Sequence, residues 1–237
     1  GRKLAERGRP LAGVGVLESL SDFVIDAVGD LFVLDGAGCR VIKIHDGVGE
    51  VVCEGINDAL YFAVGRDEAI YLVNKAAYRV TRCAGGEAVV VAGCSEKGAS
   101  PAHLDGVCDL AVARDGTLYI ADSSNDRIQK WSPGDLRGTT VAGGKGVGSG
   151  DDQLDYPTGL FVTEDETIYV ADAGNARIMK WREGWRSGMV VAGGCDDDSR
   201  DRRLKYPTSI AMDPSGALYI SHCMPGRVMR WAAPSQA

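Results

Sequence analysis

Short stretches of alternating apolar and polar residues recur along this chain, each closed by a cluster of turn formers. In Thr167–Ala171, Ile168 and Val170 fall on one side and Tyr169 on the other. Arg177–Trp181 alternates again, Leu160–Thr163 is an apolar run ahead of them, and Met189–Ala192 is another behind. Alternation with period two, rich in β-branched and aromatic residues, predicts strands. Glu164–Glu166, Asp172–Asn175 and Gly193-Gly194 supply the turn chemistry between them. No stretch sustains a helical period. The pattern therefore predicts an all-β chain in units of four short strands.

The unit is repeated. Thr117–Trp131 (TLYIADSSNDRIQKW) and Thr167–Trp181 (TIYVADAGNARIMKW) match almost letter for letter, 50 residues apart. Ala217–Trp231 is a weaker third copy, and Asp30–Ile44 and Ala69–Cys83 are degenerate ones upstream. Single slots run through all five. The second-strand aromatic is Phe32, Tyr71, Tyr119, Tyr169 and Tyr219; nine residues earlier stand Phe23, Phe62, Leu110, Leu160 and Ile210. A basic slot holds Arg40, Arg79, Arg127, Arg177 and Arg227, each followed by a β-branched residue. Four strands per unit, repeated at this period, predict a β-propeller. One domain over 1–237 is expected, with repeats at about 17–55, 56–97, 104–146, 154–196 and 204–231. The last repeat stops after its third strand, and Pro10–Gly13 matches the fourth-strand slot of Val190–Gly193. A closed five-bladed ring, zipped by residues 10–13, is the favoured reading; part of a six-bladed ring is the alternative.

The motif Tyr-x-Ala-Asp-x-x-Asn-x-Arg-Ile-x-Lys-Trp, followed by Val-Ala-Gly-Gly and then Tyr-Pro-Thr-Gly-Leu, resembles the NHL repeat family. The resemblance spans about Leu17 to Trp231 and is strongest in the third and fourth copies. The fifth departs from it with Ser221-His222-Cys223-Met224-Pro225, and the first two lack the Asn. It implies a ligand- or protein-binding module, often joined to further domains in a larger protein. The repeated residues read as structural, since a site residue should occur once. Asp122 and Asp172 open a turn and can accept backbone amides. Asn125 and Asn175 suit a left-handed turn position. Arg127 and Arg177 can pair with those aspartates, Arg227 holds the same structural slot, and Trp131, Trp181 and Trp231 fill the wedge between blades.

A net charge of −7 disfavours nucleic acid, which needs a basic face. The basic run Arg200, Arg202, Arg203 and Lys205 is interleaved with aspartates. There is no apolar run of membrane-spanning length and no secretory signal pattern. Seven dispersed cysteines favour a reducing, cytoplasmic compartment. Cys39 and Cys223 would come together if the first and fifth blades were neighbours.

Three histidines, His45, His103 and His222, occupy different layers of the repeat, which argues against a zinc site. Asp151-Asp152 and Asp196–Asp198 lack calcium-loop spacing. No cofactor is expected. The reading is a non-catalytic recognition propeller that binds a protein or small ligand through the face carrying the turns 35–39, 74–78, 122–126, 172–176 and 222–226. Tyr78, His222, Met224 and Pro225 depart from the repeat on that face and are the candidate contact residues. The alternative is an enzyme at the channel mouth, like the lactonase, amidating-lyase and strictosidine-synthase-like propellers.

Overall fold

In a computed structural model, the described residues are 17, 19–26, 28–56, 59–74, 78–194, 204–223 and 226–232. They form five antiparallel sheets arranged as a β-propeller, with almost no helix. The first blade is β1 (Leu20–Ile25), β2 (Leu31–Asp35), β3 (Arg40–His45) and β4 (Val48–Glu54). The second is β5 (Ala59–Val64), β6 (Ile70–Asn74), β7 (Arg79–Ala84) and β8 (Glu87–Gly93). The third is β9 (Val107–Val112), β10 (Leu118–Asp122), β11 (Arg127–Trp131) and β12 (Thr139–Gly143). The fourth is β13 (Pro157–Val162), β14 (Ile168–Asp172), β15 (Arg177–Trp181) and β16 (Met189–Gly193). The fifth has β17 (Pro207–Met212), β18 (Leu218–Cys223) and β19 (Gly226–Trp231). Residues 10–13 and 195–203, Met224 and Pro225 lie outside the described residues.

The core lies between blades rather than within one. Strands β10 and β14 are buried at every position because each is sandwiched between two neighbouring sheets. Leu118 and Ile120 face back into a cluster with Tyr71, Val73 and Val80 of the second blade. Tyr119 and Ala121, on the other side, face forward onto Leu160, Ile168 and Val170. The same division makes the contacts of the first blade with the second and of the fourth with the fifth. Trp131 and Trp181 are buried in these wedges, as the repeat predicts. Cross-strand pairing sets a cation over the second-strand aromatic in four blades: Lys43 on Phe32, Arg82 on Tyr71, Lys130 on Tyr119 and Arg230 on Tyr219, at 5.5–6.0 Å.

The innermost strands pack in the order β1, β5, β9, β13, β17. Each carries a bulge after its first pair with the second strand. Two innermost strands also stitch to the next blade. The Asp109 carboxylate accepts the Leu160 N–H at 2.8 Å, and Asp22 accepts that of Phe62 at 3.4 Å. No helix of the described residues is long and apolar enough to cross a membrane.

Candidate functional site

The face carrying the second-to-third-strand turns is built on a repeated clasp. Asp122 is fully buried and accepts the Asp105 N–H at 2.7 Å, Asn125 Nδ2 at 3.0 Å and Arg127 Nε at 2.7 Å. Arg127 then reaches the loop that leads into its own blade. Its Nη1 donates to the Ala99 carbonyl at 2.7 Å, and Nη2 to those of Ser100 and His103 at 3.1 and 3.0 Å. The next blade repeats the geometry. Arg177 donates to Asp172 at 2.7 Å and to the carbonyls of Ser149, Gly150 and Gln153 at 2.8–3.0 Å. Burial is the largest influence on the Asp122 and Asp172 carboxyls and raises them; the bonds they accept oppose it.

Asn125 and Asn175 are not the left-handed residues of their turns. Positive φ falls one position later, at Asp126 (51°) and Ala176 (53°), with Cys39 (51°) and Tyr78 (49°) in the same slot. The asparagine amides are used instead to bridge the aspartate and the loop, Asn125 to Gly98 O at 2.9 Å and Asn175 to Gly148 O at 2.8 Å. The left-handed residue turns its carbonyl toward the end of the fourth strand. Gly143 and Gly193 have φ of 65° and 70°, and a Cβ on either would run into the carbonyl of Asp126 or Ala176.

The sequence-predicted contact residues separate. Tyr78 is half-buried in its left-handed turn position. His222 is buried and takes the place of the repeat aspartate, its Nε2 facing Arg227 Nε at 2.9 Å. It occupies the aspartate's place in the turn with its side chain buried. Met224 and Pro225 lie outside the described residues. Cys39 and Cys223 form no disulfide; Cys39 Sγ points to the Gly36 and Ala37 carbonyls at 3.7 and 3.8 Å. His45, His103 and His222 stay apart: His45 bonds Asp30 at 2.5 Å, and His103 bonds Ser100 at 2.5 Å. Among the described residues no three His, Cys, Asp or Glu side chains come together as a metal-binding group.

What the fold does gather is a set of phenols and a thiol where the innermost strands meet this face. Tyr156 and Tyr206 stand one residue ahead of β13 and β17, with φ of 50° and 53°. Their rings lie 6.4 Å apart, tilted by 33°, and both are exposed. Cys108, the bulge residue of β9, places its Sγ 4.0 Å from the Tyr156 hydroxyl. Bulges re-aim side chains in this way. Cys108 is the first influence raising the Tyr156 phenol, ahead of burial and Tyr206. Burial raises Tyr206, with Cys108 second. It also raises Tyr61 of β5, followed by Cys108, Asp109 and Asp22. Burial pushes the Asp109 carboxyl up to about 7, against the pull of the Leu160 and Leu110 N–H groups. The mouth thus joins exposed aromatic faces to a carboxyl that changes charge near neutrality. The repeat hides it in the sequence: Tyr156 and Tyr206 belong to the Tyr-Pro-Thr motif, and only the ring brings Tyr61 and Cys108 beside them.

No family model matches the chain, and no curated protein is found similar to it. Solved structures are. A streptogramin B lyase structure superposes with a TM-score of 0.63 at 14% identity, covering 94% of this chain and 72% of that one. A gluconolactonase from Xanthomonas campestris gives 0.62 at 20% identity, covering 90% and 71%. An auxiliary nutrient binding protein from Bacteroides ovatus gives 0.66 at 16% identity, covering 92% and 60%. At these identities the likeness establishes the β-propeller fold, shared by proteins named for catalysis and for binding.

Proposed function

We propose that this chain is an NHL-type recognition propeller that binds a small ligand or a protein segment through its turn face, centred on the axial mouth. The observation that carries the reading is the exposed tyrosine pair, Tyr156 and Tyr206, with Tyr61 and Cys108 beside them. Exposed aromatic faces set close together suit a ring-shaped or apolar group, with a few polar atoms to orient it. The clasps support the same reading, since they hold the surrounding loops rigid and lower the ordering cost of binding. A thermal-shift screen of sugars and other small ring-shaped nutrients tests it. A hit should raise the melting temperature of the parent and leave the Tyr156→Ala/Tyr206→Ala variant unmoved. Equal stabilisation of that variant refutes the mouth as the site.

One observation favours a second reading, catalysis at the same mouth. Asp109 titrates near neutrality, where a general acid or base works best. Lactone hydrolysis by the purified chain, lost on Asp109→Asn while the fold survives, would put this reading first.

A further inference from the structure

A cavity of about 590 Å³ lies between the second and third blades. It opens on the face opposite the clasps, among the turns that join β5 to β6, β9 to β10 and β11 to β12. Val91, Val112, Leu118 and the buried Trp131 give it apolar walls. Arg82, over the Tyr71 ring at 6.0 Å, lines it too. The neighbouring blade interfaces show what this one lacks. Lys43, over Phe32, donates to Glu68 of the second blade at 2.7 Å. Lys130, over Tyr119, donates to Glu183 of the fourth blade at 2.7 Å, and the Tyr119 hydroxyl donates to Glu166 at 3.3 Å. Glu68 and Glu166 hold one slot, three residues before the second-strand aromatic, with φ of 58° and 60°. In the third blade that slot is Gly116, with φ of 85°, and Pro133 stands where the fourth blade has Glu183. A Cβ on Gly116 would stand 3.7 Å from the Tyr71 hydroxyl. Gly216 fills the slot in the fifth blade, but there no cation lies over Tyr169 among the described residues. Of the four described interfaces, this one alone keeps the cation over the aromatic and lacks the glutamate of the next blade.

We propose that this cleft binds a small organic acid. Its carboxylate takes the absent glutamate's place against Arg82, and its apolar body lies on Val91, Val112, Leu118 and Trp131. An apolar cavity with a few polar groups to fix orientation is the usual form of a small-molecule site. A guanidinium carries five donors and favours carboxylates, so Arg82 can take a second carboxylate beside Asp67, to which it donates at 2.6 Å. The acids that line the cleft are engaged within their own turns. Asp67 accepts the Ala69 N–H at 3.3 Å as well as Arg82, and Asp115 accepts the Thr117 N–H and hydroxyl at 2.9 and 3.0 Å. Arg66 and Arg114, also in the lining, both reach the exposed Glu164.

Isothermal titration calorimetry of the 237-residue chain with phenylacetate, 3-phenylpropionate and octanoate, each beside its amide, tests this. At least one acid should bind, and its amide should bind about tenfold more weakly or worse, as expected when a charge-assisted hydrogen bond is lost. Arg82→Gln should weaken that acid by about tenfold or more. Lys180→Gln, in the same slot of the fourth blade, should leave its affinity unchanged. Gly116→Glu/Pro133→Glu restores both carboxylates that fill the next cleft. That variant should not bind the acid, and its melting temperature should not rise with the acid as the parent's does. It answers the question even if Arg82→Gln fails to fold. The inference is overturned if none of the three acids binds, if the amides bind as tightly as the acids, or if Gly116→Glu/Pro133→Glu binds like the parent. Binding that survives Arg82→Gln but is lost in Tyr156→Ala/Tyr206→Ala would put the acid at the tyrosine pair, and overturns it too.

Discussion

Replacing Arg177 by Met tests whether the clasp holds the turn face. Arg177 and Asp172 side chains are 6% and 0% exposed, and the pair is bonded at 2.7 Å. The substitution keeps most of the apolar stem but leaves the buried Asp172 carboxylate without its cation, with only the Asp155 N–H and the Asn175 amide donating to it, and the carbonyls of Ser149, Gly150 and Gln153 lose their donor. Removing one partner of a buried pair costs about 3–5 kcal/mol. For a domain of this size that corresponds to a fall of about 6–20 °C in melting temperature. Arg182 is the control. It pairs with Asp165, but the two side chains are 46% and 59% exposed, so Arg182→Met should cost about 0–1 kcal/mol. Urea titrations of both variants, with Asp172→Asn and the double variant completing a cycle, separate the pair from the rest of the change. Amide exchange should also rise across the loop 144–153 in Arg177→Met alone. If Arg177→Met and Arg182→Met lie within about 1 kcal/mol of each other, the clasp is not what holds the face.

Trp181→Ala should cost about 3–5 kcal/mol by chemical denaturation, whereas the exposed Trp185→Ala should stay within about 0.5 kcal/mol. Equal losses would place the wedge elsewhere. Gly143→Ala combines a positive φ with a clash at the Asp126 carbonyl and should lose more than about 1 kcal/mol in the same titration. Asp109 gives a pH signature. An acid held up to about 7 by burial keeps its proton longer when folded, so its contribution to stability is full in acid and is lost as pH rises from about 4 to about 7. Asp109→Asn should therefore match the parent near pH 4 and exceed it at pH 8 in urea midpoint; no difference in slope would show the carboxyl to be solvated.

The slots that recur at 50-residue spacing were readable because each packing position needs the same residue type in every blade. Tyr119, Ile128 and Trp131 and their counterparts could be lined up from the sequence for that reason. The left-handed turn position was not readable. It holds Cys39, Tyr78, Asp126 and Ala176, four unrelated residues, because its conformation is imposed by the hairpin and by the glycine that accommodates its carbonyl. Asn125 and Asn175 drew that assignment by type alone, while their amides were needed elsewhere. His222 stood out as a departure from the repeat. Only its burial beside Arg227 shows that it substitutes within the clasp. The mouth was hidden for the opposite reason: its tyrosines conform to the repeat, and what makes them a set is their convergence from different blades. Nor can a slot pattern say whether a slot is covered. Phe23 and Val228 are as apolar as the residues they match, yet they are 60% and 68% exposed.

The clasp reads its loop by backbone alone. Arg127 and Arg177 touch only carbonyl oxygens there, and the asparagine amides reach a carbonyl too. The two loops so held, Cys94–His103 (CSEKGASPAH) and Gly144–Gln153 (GKGVGSGDDQ), share at matching positions nothing but Gly98 and Gly148. Side chains on these loops can therefore be exchanged without loosening the anchor. Mutation can explore these loops while the propeller beneath them stays the same, which makes this face a practical one on which to graft new loops.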